Sequence, residues 1–228
     1  MQLSNGPDEM LNQSNNVSWK NGTDSRQRSP SLRRGLAWAL VAVWSAAVAT
    51  GMGLLAAYAN NAGKWSPAPA AIGHSDDATS ARHRLYMFLH PRCPCSVASV
   101  NELTRIMSRC EAQLDATVYF VRPESQPADW ENGTLWNLAS SIPGANVESD
   151  GGGSVAGQFH ANTSGEVFVY DRRGKLRFQG GITAARGHAG DNLGKSAVMA
   201  IALGRTSYVE RSPVFGCPFR ADRTDDRN

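Results

Sequence analysis

Hydrophobic and polar positions divide the chain into an apolar run, a polar spacer and a domain of alternating patterns. Residues 35–59, GLAWALVAVWSAAVATGMGLLAAYA, carry no charge. An apolar run beyond about 18 residues is long enough to cross the hydrocarbon core as a helix. Residues 1–34, rich in Asn, Ser, Gly, Asp and Arg, cannot bury a core and read as a disordered tail. Residues 60–83, with Pro67, Pro69 and Gly73, read as a linker.

From residue 84 onward the pattern alternates. Residues 84–89 form an apolar, aromatic strand. Helix 94–109 follows, with Val97, Val100, Leu103 and Ile106 or Met107 at helical spacing. Residues 116–122 read as a second strand. A helical stretch with Trp130, Leu135, Trp136, Leu138 and Ile142 begins near Pro127 and Asp129 and stops at Pro143–Gly144. Ala145–Glu148 is a short strand, and Val155–His160 a short helix. Strand 166–171 turns through Arg172–Gly174 into 175–179 as a hairpin. Asp191 opens a last helix carrying Leu193, Ala197, Val198, Ile201 and Ala202 on one face, and Gly204 ends it. The domain spans 84–217 and a charged tail 218–228. This order predicts an α/β sandwich, a mixed central sheet flanked by helices. Trp130 and Trp136 read as core.

Charge sets topology. Lys20, Arg26, Arg28, Arg33 and Arg34 precede the apolar run, and the first cation after it is Lys64. The positive-inside rule then gives a single-pass protein with a cytoplasmic N-terminus and a periplasmic, or otherwise extracytoplasmic, domain. A cleaved signal peptide is the alternative; both the run and its leader exceed that pattern. Net charge is +3, with arginines scattered and no basic stripe, which speaks against nucleic acid. No Ser-His-Asp signature, phosphate loop or paired carboxylates point to hydrolysis.

Outside the cytoplasm disulfides persist, so the four cysteines, 93, 95, 110 and 217, carry the chemistry. Cys93 and Cys95 bracket Pro94 where a strand gives way to a helix. A helix N-terminus, with its unpaired N–H groups and positive dipole end, stabilises a thiolate. The pair suits thiol–disulfide exchange, with Cys93 attacking and Cys95 resolving, and with His90 or Arg92 as accessory groups. A C-x-C disulfide closes a small strained ring, so its potential is expected above the roughly −270 mV of thioredoxin. An inert structural bridge is the bland alternative, although so short a loop hardly restricts the unfolded chain. Two thiolates with an imidazole also suit copper or zinc, with His90 or His160 as third ligand and His188 as a further candidate. Four cysteines allow three pairings. Cys110 and Cys217 bridge to each other, or Cys217 reaches Cys93 or Cys95 as a resolving thiol. A non-catalytic interaction module is the third class.

The order strand–helix–strand–helix–strand–helix–hairpin–helix resembles the thioredoxin fold in its membrane-tethered, extracytoplasmic form. Phe88 to Cys93 has the spacing of that family's strand-to-nucleophile turn. Ala156, Phe159 and Thr163, followed by EVFVYDRRGKL, are similar to its second signature. HPRCPCS, TSGEVFVYD, GGITAARGHAGDN and VFGCP resemble the RedB-like group. The resemblance implies a thiol–disulfide oxidoreductase without a cofactor. Its partners would be protein thiols and disulfides and a membrane or periplasmic redox partner. Two departures stand out. Counted without a gap, Cys93 takes the nucleophile position and Ser96 the resolving one, with Cys95 between them. Gly165, after Thr163 and Ser164, holds the place of the family's cis-proline. Pro94, Thr163, Ser164 and Gly165 are thus expected to line the substrate groove. The loop with Arg186, His188 and Asp191 would border it and orient a thiolate; alternatively Asp191 caps the helix and pairs with Arg186. Copper chaperones of the same fold space their cysteines more widely, as C-x-x-x-C.

Overall fold

The computed structural model describes residues 30–72 and 81–219. Most of the expected N-terminal tail, residues 73–80 of the linker and the end of the charged tail lie outside the described residues. The described residues fall into two compact units that divide between Ala49 and Thr50. Helix α1 spans Pro30–Ala59. Its Arg33–Ala59 portion is long and apolar enough to cross a membrane, and its most apolar stretch is not buried.

In the second unit, the strands are β1 (His83–Leu89), β2 (Leu114–Arg122), β3 (Ala145–Gly151), β4 (Glu166–Tyr170), β5 (Leu176–Gly181) and β6 (Arg211–Ser212). They form one sheet in the order β3-β2-β1-β4-β5-β6. Central β1 pairs parallel with β2 and antiparallel with β4. Both neighbours suit a strand whose Leu85, Met87, Phe88 and Leu89 are fully buried, since polar residues there would lack water on either face. The helices are α2 (Ser96–Cys110), α3 (Thr134–Ser140), α4 (Ser154–Phe159) and α5 (Leu193–Ala202). The structure is thus the expected mixed α/β sandwich.

The two faces of the sheet are covered differently. On one, Leu85, Met87 and Leu89 meet Val100, Leu103 and Ile106 of α2, Leu135 of α3 and Val198 of α5. Burying each such side chain contributes roughly 1.5–3 kcal/mol. On the other, Phe88, Phe168 and Tyr170 meet Val155, Ala156 and Phe159 of the short α4, with Ala68, Ile72 and Phe219 alongside. Residues 62–72, expected as a free spacer, therefore lie along the domain: one short helix cannot cover that aromatic face. Gly63 N donates to Val214 O (2.8 Å), Ala68 N to Gln179 Oε1 (3.1 Å) and Leu176 N to Ala70 O (2.9 Å).

A buried charge cluster joins α2 to α5. Glu102, fully buried, pairs with Lys195 Nζ (3.0 Å) and accepts hydrogen bonds from Arg105 Nη1 (2.7 Å) and Gly190 N (2.7 Å). Asn192, not Asp191, caps α5: its side chain accepts from Lys195 N at 2.8 Å. Asp191 is exposed and pairs with Lys195 Nζ at 3.1 Å. The stretch from Pro127 to Ile142 divides into a 3₁₀ turn, Ala128–Glu131, and α3. The two-residue β6 has no sequence signal of its own. It forms because Gly180 and Gly181, without side chains, let Ser212 and Pro213 approach the edge of β5.

Candidate active site

The site is built where β1 ends. Beyond Leu89 the chain turns, with Cys93 N donating to His90 O (3.0 Å) and Ser96 N to Cys93 O (3.1 Å). Cys95 takes the N-cap position of α2 and uses its side chain for no cap hydrogen bond. Cys93 is buried (2% exposed), Cys95 half-buried and Pro94 exposed. All four cysteines are free.

The partner of Cys93 comes from the far end of the chain. Cys217 Sγ lies 3.0 Å from Cys93 Sγ. Its segment runs antiparallel to residues 162–164, with Ser164 N donating to Cys217 O (2.8 Å), Phe219 N to Asn162 O (3.0 Å), and Thr163 bridging to Pro218. Gly216 is required there, because a Cβ at that position would run into the Ser164 carbonyl. Thr163, Ser164 and Gly165, expected to line an open groove, are thus buried beneath the chain's own C-terminal strap. Beside the strap's end lies a cleft of about 1260 Å³, lined by Arg122, Glu124, His160, Thr163 and Phe219 among others.

Gly165 adopts φ +91°, a conformation that favours glycine, and its N–H donates to Phe88 O at 2.8 Å. Ser96, in the resolving position, is buried; its Oγ shares a 2.6 Å hydrogen bond with Ser164 Oγ, which also accepts from His90 N at 2.7 Å. Ser96 and Ser164 therefore fasten the cysteine turn to the facing loop.

The three neighbouring thiols differ in their hold on a proton. Burial by itself pushes the Cys93 thiol up. Hydrogen bonds from the Cys217 thiol, Ser96 and the main chain of Cys217 and Cys95 outweigh it, and the net direction is down. Burial, then hydrogen bonding to Cys93 and its negative charge, pushes Cys217 up to about 12. Burial and the charge of Cys93 also raise Cys95, against the pull of Arg186. Of the two facing sulfurs, Cys93 therefore gives up its proton the more readily and Cys217 holds its own.

Arg186 is the cation of the site. It hydrogen-bonds Cys95, and its Nη1 donates to Gly216 O. Its guanidinium lies 5.1 Å from the ring centre of Tyr58, and the main-chain N–H of Arg186 donates to Ala59 O at 3.0 Å. Arg92 instead stacks over Trp130 (4.6 Å) and is not among the groups that lower Cys93. His90 packs edge-on against the same Trp130 ring, and burial, then the charge of Arg92, lowers its pKa. Trp130 is thus half-buried at the edge of the cysteine turn, a placement that its aromatic spacing did not foretell.

The remaining expected residues lie elsewhere. Cys110 ends α2, on the order of 20 Å along the helix axis from the cysteine turn, and is buried among core side chains. It cannot bridge to Cys217, which sits against Cys93. His160 hydrogen-bonds Pro67 O (2.7 Å) and His188 the carbonyl of Arg186 (2.7 Å). Among the described residues, no group of three or more His, Cys, Asp or Glu side chains is arranged to hold a metal.

No family model matches the chain, and no curated protein matches it in sequence. Solved structures do resemble it. An uncharacterized conserved protein from Geobacillus kaustophilus matches at 18% identity with a TM-score of 0.51, over 72% of this chain and 94% of that one. A hypothetical protein from Sinorhizobium meliloti 1021 matches at 19% and 0.53, over 70% and 97%. An exposed lipoprotein thioredoxin from Streptococcus pneumoniae strain TIGR4 matches more loosely, at 16% and 0.40, over 54% and 84%. At these identities the likeness is one of fold: the chain carries a mixed α/β sandwich, with the order of strands and helices expected of a thioredoxin-like fold, behind one long N-terminal apolar helix.

Proposed function

We propose that the protein is a membrane-anchored, extracytoplasmic thiol–disulfide oxidoreductase. One observation carries this reading: a buried thiol at the N-terminus of α2, pushed toward the thiolate, lies 3.0 Å from a second thiol that retains its proton. Cys93 attacks a partner disulfide, and the sulfur it displaces leaves with the bonding electrons. Cys95 then attacks the mixed disulfide at Cys93 Sγ. The partner departs as a thiol and Cys93–Cys95 becomes the disulfide. Arg186 lowers the cost of the Cys95 thiolate that this step requires. The flanking charges and the apolar helix support an anchor whose C-terminal side faces the periplasm.

The experiment is a trapping assay on the full chain in its host membrane. Because Cys217 also touches Cys93, the trap is the double variant Cys95→Ser/Cys217→Ser, which removes both resolving thiols. It should accumulate protein partners as mixed disulfides through Cys93, and Cys93→Ser should accumulate none. If the double variant traps nothing but the parent loses stoichiometric bound copper on mutation, metal handling replaces exchange.

A further inference from the structure

The C-terminal strap lies against Cys93 as an extended peptide with a cysteine at its centre. Its hold on residues 162–164 is made by the main chain: the Cys217 carbonyl, the Phe219 N–H and the Thr163–Pro218 bridge. Main-chain pairing along an exposed edge reads any extended segment, while the side chains at alternate positions select among them. Gly216 permits the close approach, and Arg186 grips its carbonyl. Nothing in this set is particular to a segment of the same chain. The cleft beyond Phe219 leaves room for a peptide to continue.

We propose that the strap Val214–Phe219 is a tethered substrate mimic, and that the site's external substrate is an extended, cysteine-bearing peptide segment pairing with residues 162–164 in its place. The proposal rests on the exchange chemistry above. In protein carrying a Cys93–Cys95 disulfide, the Cys217 thiolate attacks Cys93 Sγ. A Cys93–Cys217 bond forms and the Cys93–Cys95 bond breaks. The electron pair leaves on Cys95, which takes up a proton equal to the one Cys217 lost. One disulfide replaces another, so no oxidant is consumed. An external peptide thiolate performs the same step once the strap is displaced. Arg186 serves both events, holding the Gly216 carbonyl and stabilising the departing Cys95 thiolate.

The test uses the full chain in detergent. Peptide mapping of the oxidised protein across glutathione ratios should find a Cys93–Cys217 linkage beside Cys93–Cys95; its absence at every ratio overturns the proposal. Gly216→Val drives a side chain into the Ser164 carbonyl and expels the strap; because this also removes the Cys217 hydrogen bonds from Cys93 and the Gly216 carbonyl from Arg186, each peptide rate is divided by the rate of the same protein with hydroxyethyl disulfide. The probe is the synthetic peptide SPVFGCPF with its cysteine activated as a thionitrobenzoate disulfide. A tethered occupant competes at millimolar effective concentration, so its removal should raise that ratio with micromolar peptide by about tenfold or more. N-methylation of the peptide's last phenylalanine removes the N–H that reaches the Asn162 carbonyl, and should abolish that gain. An unchanged or lower ratio, with hydroxyethyl disulfide still reacting, overturns the mimic and leaves the exchange reading intact. Reaction with neither overturns the exchange reading itself. Should Gly216→Val fail to fold, Phe219→Pro deletes the same N–H from the strap and is read against the same outcomes.

Discussion

At the scale of single residues, the site depends on which of three sulfurs holds a proton. Cys93 is depressed by hydrogen bonds that outweigh its burial, so it should alkylate as a thiolate at a pH where an ordinary cysteine is inert. The rate of iodoacetamide labelling against pH, followed by mass spectrometry of the Cys93 peptide, gives its midpoint. Cys217→Ala removes the facing donor and should move that midpoint upward; an unmoved midpoint would exclude the Cys217 side chain as the stabiliser. Arg186→Ala should raise the midpoint of Cys95 further, since the guanidinium is the group pulling it down. Cys217 itself contributes a stability term of definite sign. Its folded value, about 12, exceeds the ordinary thiol value of 9.0. Between these limits the unfolded chain releases a proton that the folded chain retains. This contribution is therefore complete below pH 9 and is lost as pH rises toward 12. Urea melts of the parent should weaken over that window more than those of Cys217→Ser.

At the scale of elements, the cysteine turn is placed by β1 and α2, and α2 is placed in turn by Glu102. Removing one partner of a buried ion pair leaves an uncompensated charge. Glu102→Ala leaves Lys195 with only the exposed Asp191 carboxylate and the Gly190 carbonyl, deprives Gly190 N of its acceptor, and should therefore cost about 2 kcal/mol in urea unfolding. Gly194→Ala should also destabilise, because its Cβ would strike the Gly181 carbonyl where α5 crosses β5. Most elements were legible from periodicity: β1, α2, β4 and α5 fell within a few residues of their expected bounds, because apolar spacing reports burial directly. The cap of α5 moved one residue, from Asp191 to Asn192, since either side chain can accept the capping N–H and only the path of the loop decides which is in reach. β6 left no pattern, as two residues hold no periodicity.

At the scale of the whole molecule, one apolar helix precedes a domain whose second face is closed by residues 62–72. If α1 is an uncleaved anchor, the intact chain should stay in the pellet after carbonate extraction, and an N-terminal sequence beginning within residues 60–72 would indicate cleavage instead. A membrane-impermeant maleimide added to spheroplasts should label Cys95, which is half-exposed; labelling only after lysis would reverse the assigned topology.

The sequence by itself determined the α/β sandwich, the apolar helix and the placement of Cys93 and Cys95 at a helix N-terminus. Each of these is a local property of spacing and chemistry. It also exposed Gly165 and Ser96 as departures at fixed positions. Only the tertiary structure decided which sulfur faces Cys93, that Arg186 rather than Arg92 supplies the cation, and that the groove is filled from within. Those facts join residues 93, 164, 186 and 217, and no pattern along the chain reports contacts between segments so far apart. The strap needs a glycine at 216 and a free edge at 162–164, and each became informative only once the fold had brought them together.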